Sequence, residues 1–181
     1  MPDQSFRTNI PEVDPTEIED TRTQRAISEE HRSFLEKVMV QSGFADLYDA
    51  RDFSEVVFRV IRDLIPKDAI ERVEGELHKE AVPTDEKALQ FEIADLWKDS
   101  NPIVGFLSRI RQPLRGPAPI GIDSNLFLTR VANEGALPPN VQAEQAVQGV
   151  FSATKDELSQ ERIQEIAGWL PDRVRELWEQ A

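Results

Sequence analysis

Cysteine is absent from the 181 residues, which excludes disulfide scaffolds, thiolate nucleophiles and every zinc site built on cysteine. Histidine is nearly absent: His31 and His78 are the only two, so a zinc site would need both, with carboxylates brought to them by the fold. Long apolar runs are missing as well. Strings such as Val56-Val57-Phe58 and Leu126-Phe127-Leu128 fall far short of the roughly 18 residues that span a bilayer, so no membrane partner is expected. Met1 to Pro11 lacks the basic and then apolar order of a secretory signal, and a cytoplasmic location is expected. The eight glycines form no Gly-x-Ser-x-Gly elbow, phosphate loop or dinucleotide fingerprint, which leaves standard hydrolase and nucleotide sites without support and calls for no cofactor. Positive charge is in deficit: 21 Lys and Arg face 34 Asp and Glu, for a net charge of −13. A nucleic-acid partner is therefore not expected, because phosphate polyanions are repelled at long range.

What is present is a chain 39% apolar and 30% charged, enough to bury an ordinary core. Phe34, Leu35, Val38 and Met39 recur at helical spacing after Ser28, Glu29 and Glu30, ending at Gly43. The rhythm continues through Ala50, Phe53, Val57, Val60, Ile61 and Leu64 to Pro66, which suits the start of the next helix, carrying Ala69, Ile70, Val73 and Leu77. Thr84 is expected to cap a helix with Ala88, Phe91, Ile93, Ala94, Leu96 and Trp97 on its apolar face, and Asn101-Pro102 to open another through Phe106 and Ile110. Pro113, Gly116, Pro117, Pro119 and Gly121 then read as an extended connector. Beyond it, Ser124 is expected to cap a helix stopped by Gly135, and three further helices are expected over Val141 to Leu158, Gln160 to Gly168 opened by Ser159, and Pro171 to Trp178. Apolar and polar residues nowhere alternate as a strand requires, so the fold class expected is all-α.

Displacing the chain by 93 residues aligns Phe34-Leu35 with Phe127-Leu128, Val38 with Val131, Ala50 with Ala143, and Val57-Phe58 with Val150-Phe151. Asp63 with Asp156, Ile70 with Ile163, Gly75 with Gly168 and Leu77 with Leu170 bring the total to ten identities over residues 34–77, where about three follow from composition. After a twelve-residue insertion, Ile93 to Trp97 align with Val174 to Trp178. The expected architecture is two tandem copies of a roughly four-helix unit packed into one compact bundle. A flexible acidic tail with a short helical turn is expected over 1–27, the first unit over 28–111 with its insertion near 78–92, the connector over 112–123, and the second unit over 124–181.

Gly168, Leu170, Pro171, Arg175, Leu177 and Trp178 spell a Gly-x-Leu-Pro-x-x-x-Arg-x-Leu-Trp string. In this the chain resembles a prokaryotic two-repeat, all-helical family of unknown function, over roughly residues 32–181. The first copy departs from the string, with His78 in place of the proline. The resemblance implies the fold, and it brings no activity, cofactor or catalytic residue with it.

Glu71, Glu74 and His78 share a helix face, but the diiron pattern needs Glu and His three apart and residue 75 is glycine. Carboxylate pairs such as Glu74 with Glu76 and Asp95 with Asp99 are expected on the surface of an acidic helical protein, since catalysis would need two of them facing across a cleft. The exception to the acidic background is Arg109, Arg111 and Arg115 around the connector: residues 101–135 carry net +2, leaving −15 for the rest. Guanidinium forks bind carboxylates and phosphates, so these arginines are candidates for an anion or acidic-partner site, with contact to the protein's own acidic helices as the plainer reading. Trp97 and Trp178 occupy matched positions. Both suit the role of core lid, and an exposed Trp178 would instead anchor a partner.

These observations point to a non-enzymatic protein-interaction or regulatory module that binds an unidentified protein or itself, with Arg109, Arg111, Arg115 and Trp178 as candidate contacts. The alternative is a small-molecule binder or enzyme with its pocket between the two helical units.

Overall fold

Ser33 opens the first helix of the body, α1 (Phe34–Ser42), with its N–H and hydroxyl donating to Glu36 Oε2 at 2.9 and 2.7 Å. This ties the first turn to its own cap. Gly43 closes the helix in the left-handed region at φ 79°, where a side chain would be strained. The computed structural model describes residues 32–98 and 121–181. The expectations for the 1–27 tail, the Ser28 start, the Asn101-Pro102 helix and all but the end of the connector lie outside them.

The described residues form an all-helical body. Asp46 accepts from the Asp49 N–H at 2.9 Å and opens α2 (Leu47–Leu64), whose buried residues run almost around it, from Ala50 and Phe53 to Ile61 and Leu64. A helix so widely buried is a central one. Pro66 precedes α3 (Lys67–Glu74) as its cap residue, since its fixed φ and missing N–H suit a helix entrance.

The helix expected from Thr84 does not form. A short helical turn at Lys87–Leu89 and a separate helix α4 (Ile93–Trp97) stand in its place. The cause lies outside the segment. Ala81 N–H donates to Phe91 O at 3.0 Å and Ile93 N–H to Lys79 O at 2.9 Å, holding both stretches extended in an isolated bridge. The Ala81 carbonyl also accepts from the Leu35 N–H at 2.9 Å, docking the insertion on the entrance of α1. The Thr84 hydroxyl accepts the Glu86 N–H at 3.2 Å, a local turn bond, and its carbonyl accepts from Gln90 Nε2 at 3.0 Å.

In the later part of the chain, Asp123, not Ser124, caps α5 (Ser124–Glu134), accepting from Leu126 N–H at 2.8 Å. The Ser124 hydroxyl instead accepts the Arg173 N–H at 3.0 Å, in the first turn of another helix. Gly135 follows α5, yet the left-handed residue there is Ala136, at φ 46°. Gly135 answers a different need: a Cβ on it would lie 2.5 Å from the Phe53 ring. The remaining helices are α6 (Ala143–Asp156), α7 (Gln160–Trp169), opened by Ser159, and α8 (Asp172–Gln180), opened by Pro171. No helix among the described residues is long and apolar enough to cross a membrane.

Contacts group the described residues of Ser33–Ala181 into one compact unit with a continuous apolar core. α1 lies against α6 so closely that a Cβ on Gly149 would collide with Ser42 Oγ, and that hydroxyl donates to Ala146 O at 3.1 Å. Several contacts occur twice. Phe58 meets Trp97 edge to face at 5.1 Å, and Phe151 meets Trp178 likewise at 5.0 Å. Trp97 Nε1 donates to Ile70 O at 3.1 Å, and Trp178 Nε1 to Ile163 O at 3.0 Å. Arg62 donates to the Trp97 carbonyl, and Lys155 to the Trp178 carbonyl. Arg130 pairs with Asp63, and Lys37 with Asp156.

Candidate functional site

The residues of the Gly168 to Trp178 string form a lock between α7 and α8. Leu170, Leu177 and Trp178 are buried. Pro171 starts α8, and Arg175 reaches back to the end of α7, where Nε donates to Ala167 O at 2.8 Å and Nη2 to Leu170 O at 3.1 Å. The last carbonyls of a helix have no partner within it, and a guanidinium answers both their bonding need and their partial negative charge. Lys155 serves the end of α8 in the same way, donating to Trp178 O at 2.9 Å and Ala181 O at 2.6 Å. Trp178 is 1% exposed, with its indole N–H bonded to Ile163 O. It stands as a lid on the core and carries no exposed anchor surface.

Beside this lock lies an open groove of about 550 Å³. One wall is a single face of α7, formed by Gln160, Ile163, Gln164, Ala167 and Gly168, and the other is Arg175, Trp178 and Glu179 of α8 with Lys155 at the end. Spacings of three and four place each set on one side of its helix. The groove is open at Ala167 and Gly168 because neither residue extends beyond a methyl. A Cβ on Gly168 would meet nothing within 4 Å.

A second cavity, about 240 Å³, is lined by Gln41 of α1, Gln145, Gln148, Gly149 and Ser152 of α6, and Gln180 and Ala181 at the end of α8. Its amides are neutral, and Gln145 Nε2 already donates to Gln41 O at 3.2 Å. It offers hydrogen bonds and no ionisable side chain.

The carboxylates weighed for catalysis or metal binding are dispersed. Glu71 pairs with Lys67, Glu74 with Lys98, and Glu76 accepts from Ser159 N–H and Oγ at 2.7 and 2.8 Å. His78 lies beyond the end of α3 and so off the helix face expected to carry it with Glu71 and Glu74, and its Nδ1 lies 2.7 Å from Glu92 Oε2. Asp95 accepts the Glu92 N–H at 2.9 Å, holding the start of α4. Among the described residues no group of three His, Asp or Glu could hold a metal ion. Burial, followed by the charge of Asp52, pushes the Glu55 carboxyl up from its ordinary range. His31, Asp99 and the arginines Arg109, Arg111 and Arg115 lie outside the described residues.

Sequence reasoning missed the groove. Gly168 and Arg175 were visible as part of a string, but their roles depend on which faces of α7 and α8 meet. A family model described as uncharacterized conserved protein (DUF2267) matches residues 31–177. No curated protein matches the chain.

Proposed function

The chain belongs to this DUF2267 family of uncharacterized conserved proteins, and we propose from its geometry that it is a non-enzymatic helical module that binds another protein. The observation that carries this reading is the open α7–α8 groove, which runs along one face of α7 and has no side chain beyond a methyl at Ala167 and Gly168. Troughs of this kind receive helices or extended segments from other chains. Around it the ionic side chains are spent on internal ties, such as Arg175 and Lys155 on helix-end carbonyls. The connector arginines Arg109, Arg111 and Arg115 are proposed as a second, anion-accepting contact.

The contacts that occur twice support the proposal that the body is a duplicated unit, since Ile70 and Ile163, Phe58 and Phe151, and Asp63 and Asp156 each lie 93 residues apart. A duplicated scaffold with a trough developed in one half suits an adaptor working in the cytoplasm of a prokaryotic cell. A second reading rests on the glutamine-lined cavity between α1 and α6, which suits a small neutral polar ligand.

The test is affinity capture from the native cell extract joined to sedimentation of the purified chain. A protein captured at fixed stoichiometry supports the proposal. A strict monomer that retains no protein refutes it.

A further inference from the structure

The side chains of Gln41, Gln148, Ser152 and Gln180 line the cavity of about 240 Å³ and bond to no protein group among the described residues. Gln145 joins them with its side-chain oxygen free, because only its Nε2 is used, on the Gln41 backbone oxygen at 3.2 Å. Each amide offers both donors and an acceptor, and the hydroxyl offers both as well. The remaining lining is Gly149 and Ala181, and the Ala181 oxygen is held by Lys155 Nζ at 2.6 Å. Neither a charged nor an aromatic side chain lines the cavity.

The matched contact elsewhere in the chain is built from charge. Ninety-three residues before Gln145, Gln148 and Ser152 of α6 stand Asp52, Glu55 and Arg59 of α2, and 93 residues after Gln41 of α1 stands Glu134 of α5. There Arg59 Nη1 reaches to 3.7 Å from Glu134 Oε2 and bridges the two helices. At the cavity, the position of the bridging guanidinium is Ser152, too short to cross, and that shortening leaves the space. The three acids are each matched by a glutamine. In a chain with 34 Asp and Glu, neutrality and free amides are thus concentrated where a gap has been left.

Resting on the reading of this cavity as a small-molecule site, we propose that it binds a single neutral polyol or monosaccharide. An ionic ligand would lose hydration there with no countercharge to replace it, and a flat aromatic one would find no ring or aliphatic wall to stack on. Hydroxyl groups on neighbouring carbons each donate and accept, which matches the paired N–H and C=O of an amide. Gln145 and Gln148 on α6 offer such pairs from one wall, and Gln41 and Gln180 from α1 and α8. At about 30 Å³ per water, the cavity has the volume of about eight waters, enough for one sugar ring and too little for two.

The test uses the full isotope-labelled chain, with the glutamine side-chain amide signals followed by two-dimensional NMR. The probes are D-glucose, D-galactose and myo-inositol, with D-glucuronate and D-glucosamine as charged controls. At least one neutral probe is expected to shift the Gln41, Gln145, Gln148 and Gln180 signals saturably, with a Kd of about 1–10 mM for so small a ligand. The charged controls are expected to bind at least about tenfold more weakly. Gln41→Glu with Ser152→Arg rebuilds the Arg59–Glu134 bridge across the gap, and is expected to weaken binding at least about tenfold. Gln148→Leu removes one amide and leaves the gap, and is expected to do the same. No saturable shift with any neutral probe, equal binding of a charged control, or unchanged binding to either variant overturns the proposal. If acetamide, a neutral amide without hydroxyls, shifts these signals while no polyol does, the polyol proposal fails and the small-molecule reading of the cavity stands. If acetamide also leaves them unmoved, both fail.

Discussion

Arg72 of α3 and Glu165 of α7, 93 residues apart in the chain, meet side chain to side chain, with Arg72 Nε donating to Glu165 Oε1 at 3.1 Å. Arg72 also donates to Asp68 at 2.9 Å, and Arg162 to Glu165, so one carboxylate ties two guanidiniums across the α3–α7 contact. The Arg72 hydrogen bond, followed by the opposing cost of burial and then the two positive charges, holds Glu165 below its ordinary value of 4.5.

A carboxylate with a depressed pKa in the folded state stabilises that state above its unfolded pKa and loses the contribution as pH falls through the folded value. Urea unfolding of the wild-type chain is therefore expected to show stability falling as pH drops below about 4.5. In Glu165→Gln the titrating group is gone, so the fall is expected to be shallower, with stability at pH 7 lower than wild type. Parallel profiles for the two proteins would show that the Arg72 contact does not favour the charged form.

Two ion pairs of the same kind are expected to differ in worth. Arg130 Nη1 and Asp63 Oδ2 are 2.8 Å apart, with the aspartate side chain only 9% exposed, whereas Asp156, the partner of Lys37, is 58% exposed. Removing a partner from a desolvated charge leaves part of its desolvation cost uncompensated, so Arg130→Met is expected to cost about 1–3 kcal/mol. Lys37→Met leaves a carboxylate that water solvates, and is expected to cost less than about 1 kcal/mol. Chemical denaturation at pH 7 measures both, and equal losses would mean that burial does not separate the pairs.

Much of the fold was legible because its signals are local. Gly43, Pro66, Ser159 and Pro171 stand where the chain must enter or leave a helix, and their backbone preferences act over one turn. The segment from Thr84 to Trp97 was misread because what holds it is remote: the bridge between the stretches at 79–81 and 91–93, and the Leu35 N–H on Ala81 O. Asp123 and Ser124 are both good caps, and the choice between them follows from Ser124 being claimed by Arg173 N–H. The groove was illegible for a related reason. A glycine in sequence signals freedom or space, and only the facing helix shows which.

Three small residues separate those two meanings. Gly149→Ala is expected to cost about 1–3 kcal/mol, because its Cβ collides with Ser42 Oγ where α1 crosses α6, and Ser42→Gly in the same chain is expected to recover part of the loss. Gly168→Ala, with open space above it, is expected to be neutral or stabilising by up to about 1 kcal/mol. Ala136→Gly is expected to stabilise by a similar amount, since Ala136 sits at φ 46°, where only glycine is unstrained. Thermal unfolding of the four variants reads the series, and a destabilised Gly168→Ala would contradict the open groove.

The tryptophan lids give the sharpest test of packing against hydrogen bonding. Trp178 is buried against Phe151, with ring centroids 5.0 Å apart, and its indole N–H is bonded to Ile163 O. Trp178→Phe keeps an aromatic ring against Phe151 but leaves the Ile163 carbonyl without that donor, and is expected to cost about 1–2 kcal/mol. Trp178→Ala removes the ring as well and is expected to cost about 3–5 kcal/mol, which is a large share of the stability of a domain this size. Trp97 stands against Phe58 at 5.1 Å and donates to Ile70 O, so Trp97→Phe should cost what Trp178→Phe costs, to within about 1 kcal/mol. If instead only the Trp178 substitutions are costly, the two lids carry unequal loads, and the likeness of their contacts does not extend to their energetics.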